Sequence, residues 1–312
     1  MTTGATTTGG TTAGGTTAGA TVAVIGAGTM GRRLAFDFAR AGCVVTLYDA
    51  ADGVAESALR WLSEHLNAWE GSGRLSAGTT QASLARLRTA QSAAEAVDVA
   101  AFVFENVPEC LALKRELFAR LAPLLADETI LVSNTSSLPG SLMADASARP
   151  DRFVNANFSH LGHQKVEVMP NPGTSNDTVL RTTDFLRATG FVPILLRQEQ
   201  FGYASNRVWR AVKKEVLRQV AAGVIAPQDL DRAWMLDWEV PMGPCALMDR
   251  IGLDVIRDIE HAYADHTHDP SDRPPQFLEQ MVQDGRLGVK SGEGFYRYPD
   301  PDFARPDFLQ HA

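Results

Sequence analysis

The chain has 312 residues, of which 45% are hydrophobic, enough for about two domains with real cores. Its 29 basic and 37 acidic residues give a net charge of −8, which argues against a general nucleic-acid-binding protein. No run approaches the ~20 apolar residues that a membrane helix needs. Cys43, Cys110 and Cys245 lie too far apart for a disulfide framework or a zinc site, which suits the reducing cytoplasm.

The first 20 residues differ in composition from the rest of the chain. They contain nine threonines, six glycines and four alanines, and no charged residue. They lack the basic and apolar regions of a secretory signal, and they carry too little apolar surface to offset the entropy of ordering. We therefore expect residues 1–20 to be a disordered head outside the fold.

Strands and helices alternate in the pattern from residue 21 to residue 199. A β-branched run at 21–25, a helix at 30–41 and a strand at 43–48 have the spacing of a parallel βαβ unit. Residues 53–96 are predicted to form a helical hairpin inserted between strands. Further strands are predicted at 101–104, 130–133, 153–158, 165–169 and 191–196, with helices at 109–125 and 177–188.

The pattern becomes mostly helical after about residue 199. Helices are predicted at 204–224, 226–236, 245–263 and 276–285, with no strand between them. The fold class expected is therefore α/β, a Rossmann-like doubly wound sheet with a helical insertion, followed by an all-α domain. We place the dinucleotide-binding domain at 21–199 and the helical substrate and dimerisation domain at 200–312.

A glycine-rich turn directly follows the first strand and opens the first helix. Gly26, Gly28 and Gly31 form a G-x-G-x-x-G pattern, with Thr29 and Met30 between the last two glycines. In a dinucleotide-binding turn the first glycine permits the bend, the second allows close approach of a pyrophosphate, and the third allows the helix to pack on the strand. The helix N-terminus then offers N–H groups to the phosphates.

An acidic residue ends the second strand. Asp49 lies 18 residues after Gly31, close to the ~20 expected for an acid that binds ribose hydroxyls. A carboxylate there accepts hydrogen bonds from the hydroxyls and repels a 2′-phosphate. The expected cofactor is therefore NAD rather than NADP.

Six motifs, the glycine turn among them, occur in the order found in one family. The chain resembles the 3-hydroxyacyl-CoA dehydrogenases, a family with L-gulonate dehydrogenase relatives, over about residues 21–300. The motifs are GAGTMG at 26–31, FENVPE at 104–109, SNTSSL at 133–138, GYASNR at 202–207, PMGP at 241–244 and LGVKSGEGFYRY at 287–298.

The resemblance implies roles for individual residues. Glu109 and Lys114 match the loop beside the nicotinamide and its ribose, and Asn134 and Ser136 match the turn between nicotinamide and substrate. Asn206 matches the asparagine that helps orient the catalytic histidine and the substrate. Ser136 can donate a hydrogen bond to a substrate oxygen or accept one from it.

The chain departs from the family at the catalytic histidine. In the family a histidine after Arg-Phe is the general acid–base, and a glutamate twelve residues later holds its other nitrogen. Here the histidine position is Asn157, and the glutamate is Glu167, only ten residues on. An amide does not gain or lose a proton near pH 7, and general acid–base catalysis is typically worth 10²–10⁴-fold.

Three hypotheses describe how the reaction could proceed without that histidine. His160 or His163 could take the role, since the shortened loop has its own geometry. Glu167 could act directly or through a water, its pKa raised by burial. Alternatively, the chemistry needs no protein acid, as with an iminium substrate.

The substrate is less well defined by the sequence than the cofactor. The family binds the CoA nucleotide partly through basic residues of the helical insertion, and this insertion contains four arginines and no lysine. We expect a hydroxyacyl or oxoacyl thioester or a related hydroxy acid, bound by a cytoplasmic homodimer. The alternatives are a carrier-bound or amine/imine substrate, or a non-catalytic NAD-binding protein.

Overall fold

The computed structural model describes residues 19–159 and 164–310. The chain divides after Ala204 into two compact units. Residues 1–18 of the predicted head and both His160 and His163 lie outside the described residues. The structure therefore does not test the predictions made for them.

The first unit is built on one eight-stranded sheet with the order β3-β2-β1-β4-β5-β6-β7-β8. Neighbouring strands are parallel except β6 and β7. The strands are β1 (Thr21–Ile25), β2 (Val44–Tyr48), β3 (Leu87–Thr89), β4 (Phe102–Glu105), β5 (Ile130–Asn134), β6 (Phe153–Phe158), β7 (Lys165–Pro170) and β8 (Val192–Leu195). The expected Rossmann-like doubly wound sheet is confirmed.

Within the described residues, six helices accompany the sheet, and a helical second unit follows. The helices of the first group are α1 (Thr29–Arg40), α2 (Val54–Gly71), α3 (Thr79–Leu84), α4 (Ala93–Val97), α5 (Leu111–Leu121) and α6 (Asn176–Ala188). Those of the second are α7 (Ala204–Ala221), α8 (Pro227–Trp238), α9 (Pro244–Ile251), α10 (Leu253–Thr267) and α11 (Gln276–Gln283). None of the described helices has the length and apolarity needed to cross a membrane.

Three local predictions were wrong. The segment 53–96 is not wholly helical, because Leu87–Thr89 forms β3 and pairs with β2. This strand is too short to show an alternating pattern. The helix predicted over 245–263 is broken at Gly252, which has φ +108°. Helix α5 ends at Leu121, and a 3₁₀ turn containing Pro123 follows it.

Apolar side chains cover both faces of the sheet. Phe38 of α1 and Phe185 of α6 pack with Phe104 on one face, whereas Phe118 of α5 packs with Phe153 on the other. A largely parallel sheet is expected to be apolar on both sides. The polar residues Asn157 of β6 and Lys165 and Glu167 of β7 are exceptions to this pattern. All three belong to the candidate site described below.

Two buried aspartates organise the second unit. Asp231 accepts hydrogen bonds from the backbone N–H of Cys245 at 2.7 Å and from the Tyr296 hydroxyl at 2.9 Å. Asp249 accepts two from the backbone N–H groups of Phe295 and Tyr296. Burial raises the pKa of both carboxyls. The PMGP and GEGFYRY motifs thus have structural roles in this unit.

Candidate active site

Two of the three glycines in the turn between β1 and α1 are sterically required. A Cβ on Gly31 would lie 1.7 Å from the carbonyl oxygen of Gly26, and one on Gly26 would lie 2.7 Å from the carbonyl oxygen of Asn106. Gly26 also has φ +95°, in the region that favours glycine. The fold itself therefore excludes side chains at these two positions.

Gly28 differs from them, because a Cβ there would have no neighbour within 4 Å. It is the N-cap of α1, no side chain caps this helix, and the first turn, which begins with Thr29 and Met30, contains no acidic residue. The N-terminus of α1 thus begins at a residue that has no side chain and that has open space where a side chain would lie. This arrangement fits a pyrophosphate, which binds at uncapped helix N-termini.

Asp49 lies directly after β2, beside the turn. One carboxylate oxygen accepts a hydrogen bond from the backbone N–H of Ala27 at 2.8 Å, and the other accepts one from Ala51 at 3.0 Å. The carboxylate therefore links the end of β2 to the glycine turn. Its position at the carboxyl edge of the sheet fits the ribose of a dinucleotide.

Glu109 supports the turn that follows β5. Its Oε1 accepts hydrogen bonds from the Thr135 hydroxyl at 2.6 Å and from the backbone N–H groups of Ser136 at 2.9 Å and Ser137 at 3.0 Å. Both serine hydroxyls also lie within hydrogen-bond distance of this oxygen. Glu109 thereby fixes the backbone that carries the exposed Ser136.

The ionisation of Glu109 follows from these contacts. Burial alone would raise the pKa of its carboxyl, but the hydrogen bonds from Thr135, Ser136 and Ser137 and the charge of Lys114 outweigh burial and lower the pKa. The carboxylate is therefore ionised at neutral pH and acts as a hydrogen-bond acceptor.

Lys114, which the resemblance places in the loop beside the nicotinamide and its ribose, lies on α5 and is buried. Its side chain is 0% exposed, and its Nζ lies 2.7 Å and 2.8 Å from the two carboxylate oxygens of Glu105. It also donates to the carbonyl oxygen of Asn134 at 3.2 Å and lies 3.6 Å from Glu109 Oε2. The ammonium therefore connects β4, β5 and the Glu109 loop from within the protein.

Asn157 and Glu167 are directly opposite one another in the antiparallel pair of β6 and β7. Glu167 is fully buried, and its Oε1 accepts a hydrogen bond from the backbone N–H of Ala204 at 3.1 Å. Its Oε2 lies 3.2 Å from the Nζ of Lys165. The glutamate thus faces the position at which the resemblance places a histidine, and a lysine binds one of its oxygens.

The remaining predicted residues occupy different places. The Asn134 amide donates to Asn106 at 2.8 Å, and its oxygen accepts from the backbone N–H of Phe158 at 3.4 Å, so it links β5 to both neighbouring strands. Asn206 lies in the first turn of α7, within the second unit.

Glu105 and Lys165 were not predicted as site residues, and each forms an ion pair with a residue that was. Glu105 is a charged residue within an apolar strand, and a buried carboxylate requires a partner, which Lys114 provides. Lys165 lies two positions before Glu167 on a strand, which places both side chains on one face. These two patterns in the sequence could have indicated both ion pairs.

Comparisons with known proteins agree with this geometry. The family description "3-hydroxyacyl-CoA dehydrogenase, NAD binding domain" matches residues 21–200, and the corresponding C-terminal domain matches residues 202–298. The human mitochondrial hydroxyacyl-coenzyme A dehydrogenase is 33% identical over 88% of this chain and 90% of its own length.

The chain belongs to the 3-hydroxyacyl-CoA dehydrogenase family. The 5-formyl-3-hydroxy-2-methylpyridine 4-carboxylate 5-dehydrogenase of Mesorhizobium japonicum is 31% identical, covering 88% of this chain and 90% of that protein. The crystal structure of (S)-3-hydroxybutyryl-CoA dehydrogenase from Ralstonia eutropha superposes with a TM-score of 0.82 at 27% identity, covering 90% of this chain and 99% of that one. The expected cofactor, NAD, is confirmed by the NAD-binding domain.

Proposed function

We propose that this 3-hydroxyacyl-CoA dehydrogenase family member interconverts a 3-hydroxyacyl thioester and the 3-oxoacyl thioester. One observation carries the proposal: the open glycine turn and the Glu109–Ser136 cluster occur on one sheet, each following a strand at its carboxyl edge. Ligands of doubly wound sheets bind at this edge. The relatives named above as hydroxyacyl- and hydroxybutyryl-CoA dehydrogenases support the thioester as the substrate class.

Each group of residues has a role in this proposal. Gly28 and the N–H groups of α1 bind the pyrophosphate, and Asp49 binds the adenosine ribose. Ser136, held by Glu109, hydrogen-bonds the substrate oxygen, and Asn134 positions the neighbouring groups. Bound NADH would supply the hydride for reduction and bound NAD⁺ would accept it in oxidation, and the protein contributes position, which accounts for a large share of such rate enhancements.

A cavity of about 470 Å³ in the first unit supports coenzyme A as the carrier of the acyl group. The insertion lacks lysine, but Arg32 and Arg40 of α1 join Arg74 in lining this cavity, together with Trp61 and Trp69. The guanidinium of Arg32 lies 3.7 Å from the ring centroid of Trp61. Arginines and aromatic rings bind phosphates and purines, so two arginines of α1 and one of the insertion supply the basic groups of this cavity in place of lysines.

The proposal is tested by following NADH absorbance with acetoacetyl-CoA and with the same acyl group on pantetheine. We expect turnover of both, with a kcat/KM about a hundredfold higher for the CoA ester. Arg74→Ala should lower kcat/KM for the CoA ester about tenfold and leave the pantetheine ester unchanged, because a charged hydrogen bond contributes roughly 1.5–3 kcal/mol. Arg305→Ala, an exposed arginine of the second unit, is the matched control.

The alternative functions predict different results in the same assay. If the natural substrate is bound to a carrier protein, the enzyme should prefer a pantetheine ester attached to a protein over the CoA ester. Arg74→Ala should then leave kcat/KM unchanged. An imine-reducing enzyme oxidises NADH only with imines. NADH binding without oxidation in the presence of any of these substrates would favour a non-catalytic protein.

We also propose that the protein is a cytoplasmic homodimer that associates through its helical unit. Val208, Val224 and Trp238 are between 64% and 70% exposed there. Large exposed apolar side chains are common at subunit interfaces. Light scattering coupled to gel filtration should give the mass of two chains, and Trp238→Arg should shift it toward one. A single-chain mass for the unmodified protein would contradict the dimer.

A further inference from the structure

Strand alternation places three functional groups on one face of β6 and β7. Val166 and Val168 point into the core beneath α1 and α6, so Lys165 and Glu167 point to the opposite face. Asn157 lies directly across from Glu167 and shares that face. The lysine therefore lies on the same surface as the position at which the family has its acid–base histidine.

Lys165 is the accessible member of its ion pair. The side chain of Glu167 is 0% exposed, whereas that of Lys165 is 37% exposed. The Nζ of Lys165 and Oε2 of Glu167 are 3.2 Å apart. Within this pair, the ammonium can therefore reach a ligand while the carboxylate remains behind it as a counter-ion. By the resemblance, this glutamate is the residue that binds the histidine in the family.

The strand order also brings Lys165 near the proposed substrate oxygen. The Ser136 turn follows β5, Asn157 lies on β6 and Lys165 begins β7, at the same edge of the sheet. Two strand spacings amount to about 10 Å. The flexible four-carbon stem of lysine can cross much of this distance.

We propose that the Lys165 ammonium is the proton donor and acceptor that replaces the histidine of the family. This inference rests on the proposed thioester dehydrogenase activity. Glu167 positions the ammonium, and Asn157 hydrogen-bonds the substrate oxygen that exchanges the proton.

The proton transfer balances without a further reactant. In reduction, the ketone carbon gains the hydride supplied by NADH, which is oxidised to NAD⁺. An N–H bond of Lys165 breaks, an O–H bond forms on the former carbonyl oxygen, and the neutral amine regains a proton from water. In oxidation the neutral amine takes the hydroxyl proton, and each step runs in reverse.

The kinetic test uses the full chain with NADH and acetoacetyl-CoA. Lys165→Ala should lower kcat about 10²–10⁴-fold, the range for loss of a general acid. Lys165→Arg should be nearly as slow, since arginine keeps the charge but does not release its proton. Ethylamine should restore turnover to Lys165→Ala in proportion to its concentration, an effect that a merely structural lysine would not show.

Lys214→Ala is the matched control, because Lys214 pairs with Asp272 in the helical unit. It should keep its kcat and show no rescue by ethylamine. A kcat for Lys165→Ala within about threefold of the unmodified protein would overturn the inference, as would a large loss in His160→Ala or His163→Ala instead. If the unmodified protein does not reduce any thioester, the proposed function fails first, and this inference fails with it.

A second measurement does not depend on turnover or on NAD. Acetic anhydride labelling followed by peptide mass spectrometry reports the accessibility of each lysine. Acetoacetyl-CoA alone should protect Lys165 and leave the labelling of Lys214 unchanged. Equal labelling of Lys165 with and without the thioester, when the thioester is shown to bind by calorimetry, would contradict contact between them. Should Lys165→Ala prove unstable, this measurement on the unmodified chain decides the question.

Discussion

Two parts of the same sheet edge differ in how they follow the family pattern. The cofactor turn, residues 26–31 with Asp49, keeps its glycines, and the backbone leaves no space for side chains at two of them. The substrate edge, which comprises Asn157, Lys165 and Glu167, keeps the glutamate but pairs it with a lysine. In the proposed site, cofactor binding depends on backbone geometry, whereas proton transfer needs only one suitable side chain within reach. The group that transfers the proton can therefore change while the cofactor turn stays constant.

Gly31→Ala should have the largest effect, because it removes the steric basis of the cofactor turn. The new methyl group would overlap the Gly26 carbonyl oxygen, and overpacking of this kind costs about 1–3 kcal/mol. We expect a melting temperature roughly 5–10 °C lower and loss of NADH binding, measured by thermal denaturation and by NADH fluorescence.

Gly28→Ala is the matched comparison within the same turn. A methyl group there meets no protein atom within 4 Å, so the melting temperature without cofactor should be unchanged. NADH affinity should nevertheless fall at least about tenfold, because the methyl group occupies the space proposed for the pyrophosphate. Equal NADH affinity in this variant and the unmodified protein would show that the phosphates bind elsewhere.

Asn157→His should restore the family's acid–base group at the substrate edge. In the Lys165→Ala background the new imidazole would lie across from Glu167, whose Oε2 has then lost the ammonium. We expect kcat for acetoacetyl-CoA reduction to rise about a hundredfold over Lys165→Ala alone, the low end of the range for a general acid. Asn157→Gln in the same background should give no increase.

Asp49→Ser should change cofactor preference more than stability. The change removes the acceptor of the Ala27 and Ala51 N–H groups and the negative charge that opposes a 2′-phosphate. The ratio of kcat/KM for NADH to that for NADPH should fall about tenfold. Asp52→Ser, in the same loop and exposed, controls for the loss of charge and should leave the ratio unchanged.

The two parts of the edge also differ in what the sequence could predict. The glycine spacing and its place between a strand and a helix determine the conformation of the cofactor turn locally, so the sequence was sufficient to predict that conformation. The ion pairs of Lys114 with Glu105 and of Lys165 with Glu167 depend on strand order and register, which a linear pattern does not provide. The short strand β3 was missed for the same reason, since its pairing with β2 defines it.

Glu109→Gln should have the smallest effect, and that effect depends on pH. The pKa of Glu109 is lower in the folded protein than its ordinary value of 4.5, so the ionised carboxylate stabilises the fold above that value. This contribution is lost as the pH falls through the folded pKa. The melting temperature of Glu109→Gln should therefore be lower than that of the unmodified protein at neutral pH, and the difference should shrink steadily below about pH 4.5. Glu116→Gln, on the exposed face of α5, is the matched control for the change from carboxylate to amide. A constant difference at all pH values would mean that Glu109 holds the Ser136 turn by shape and not by charge.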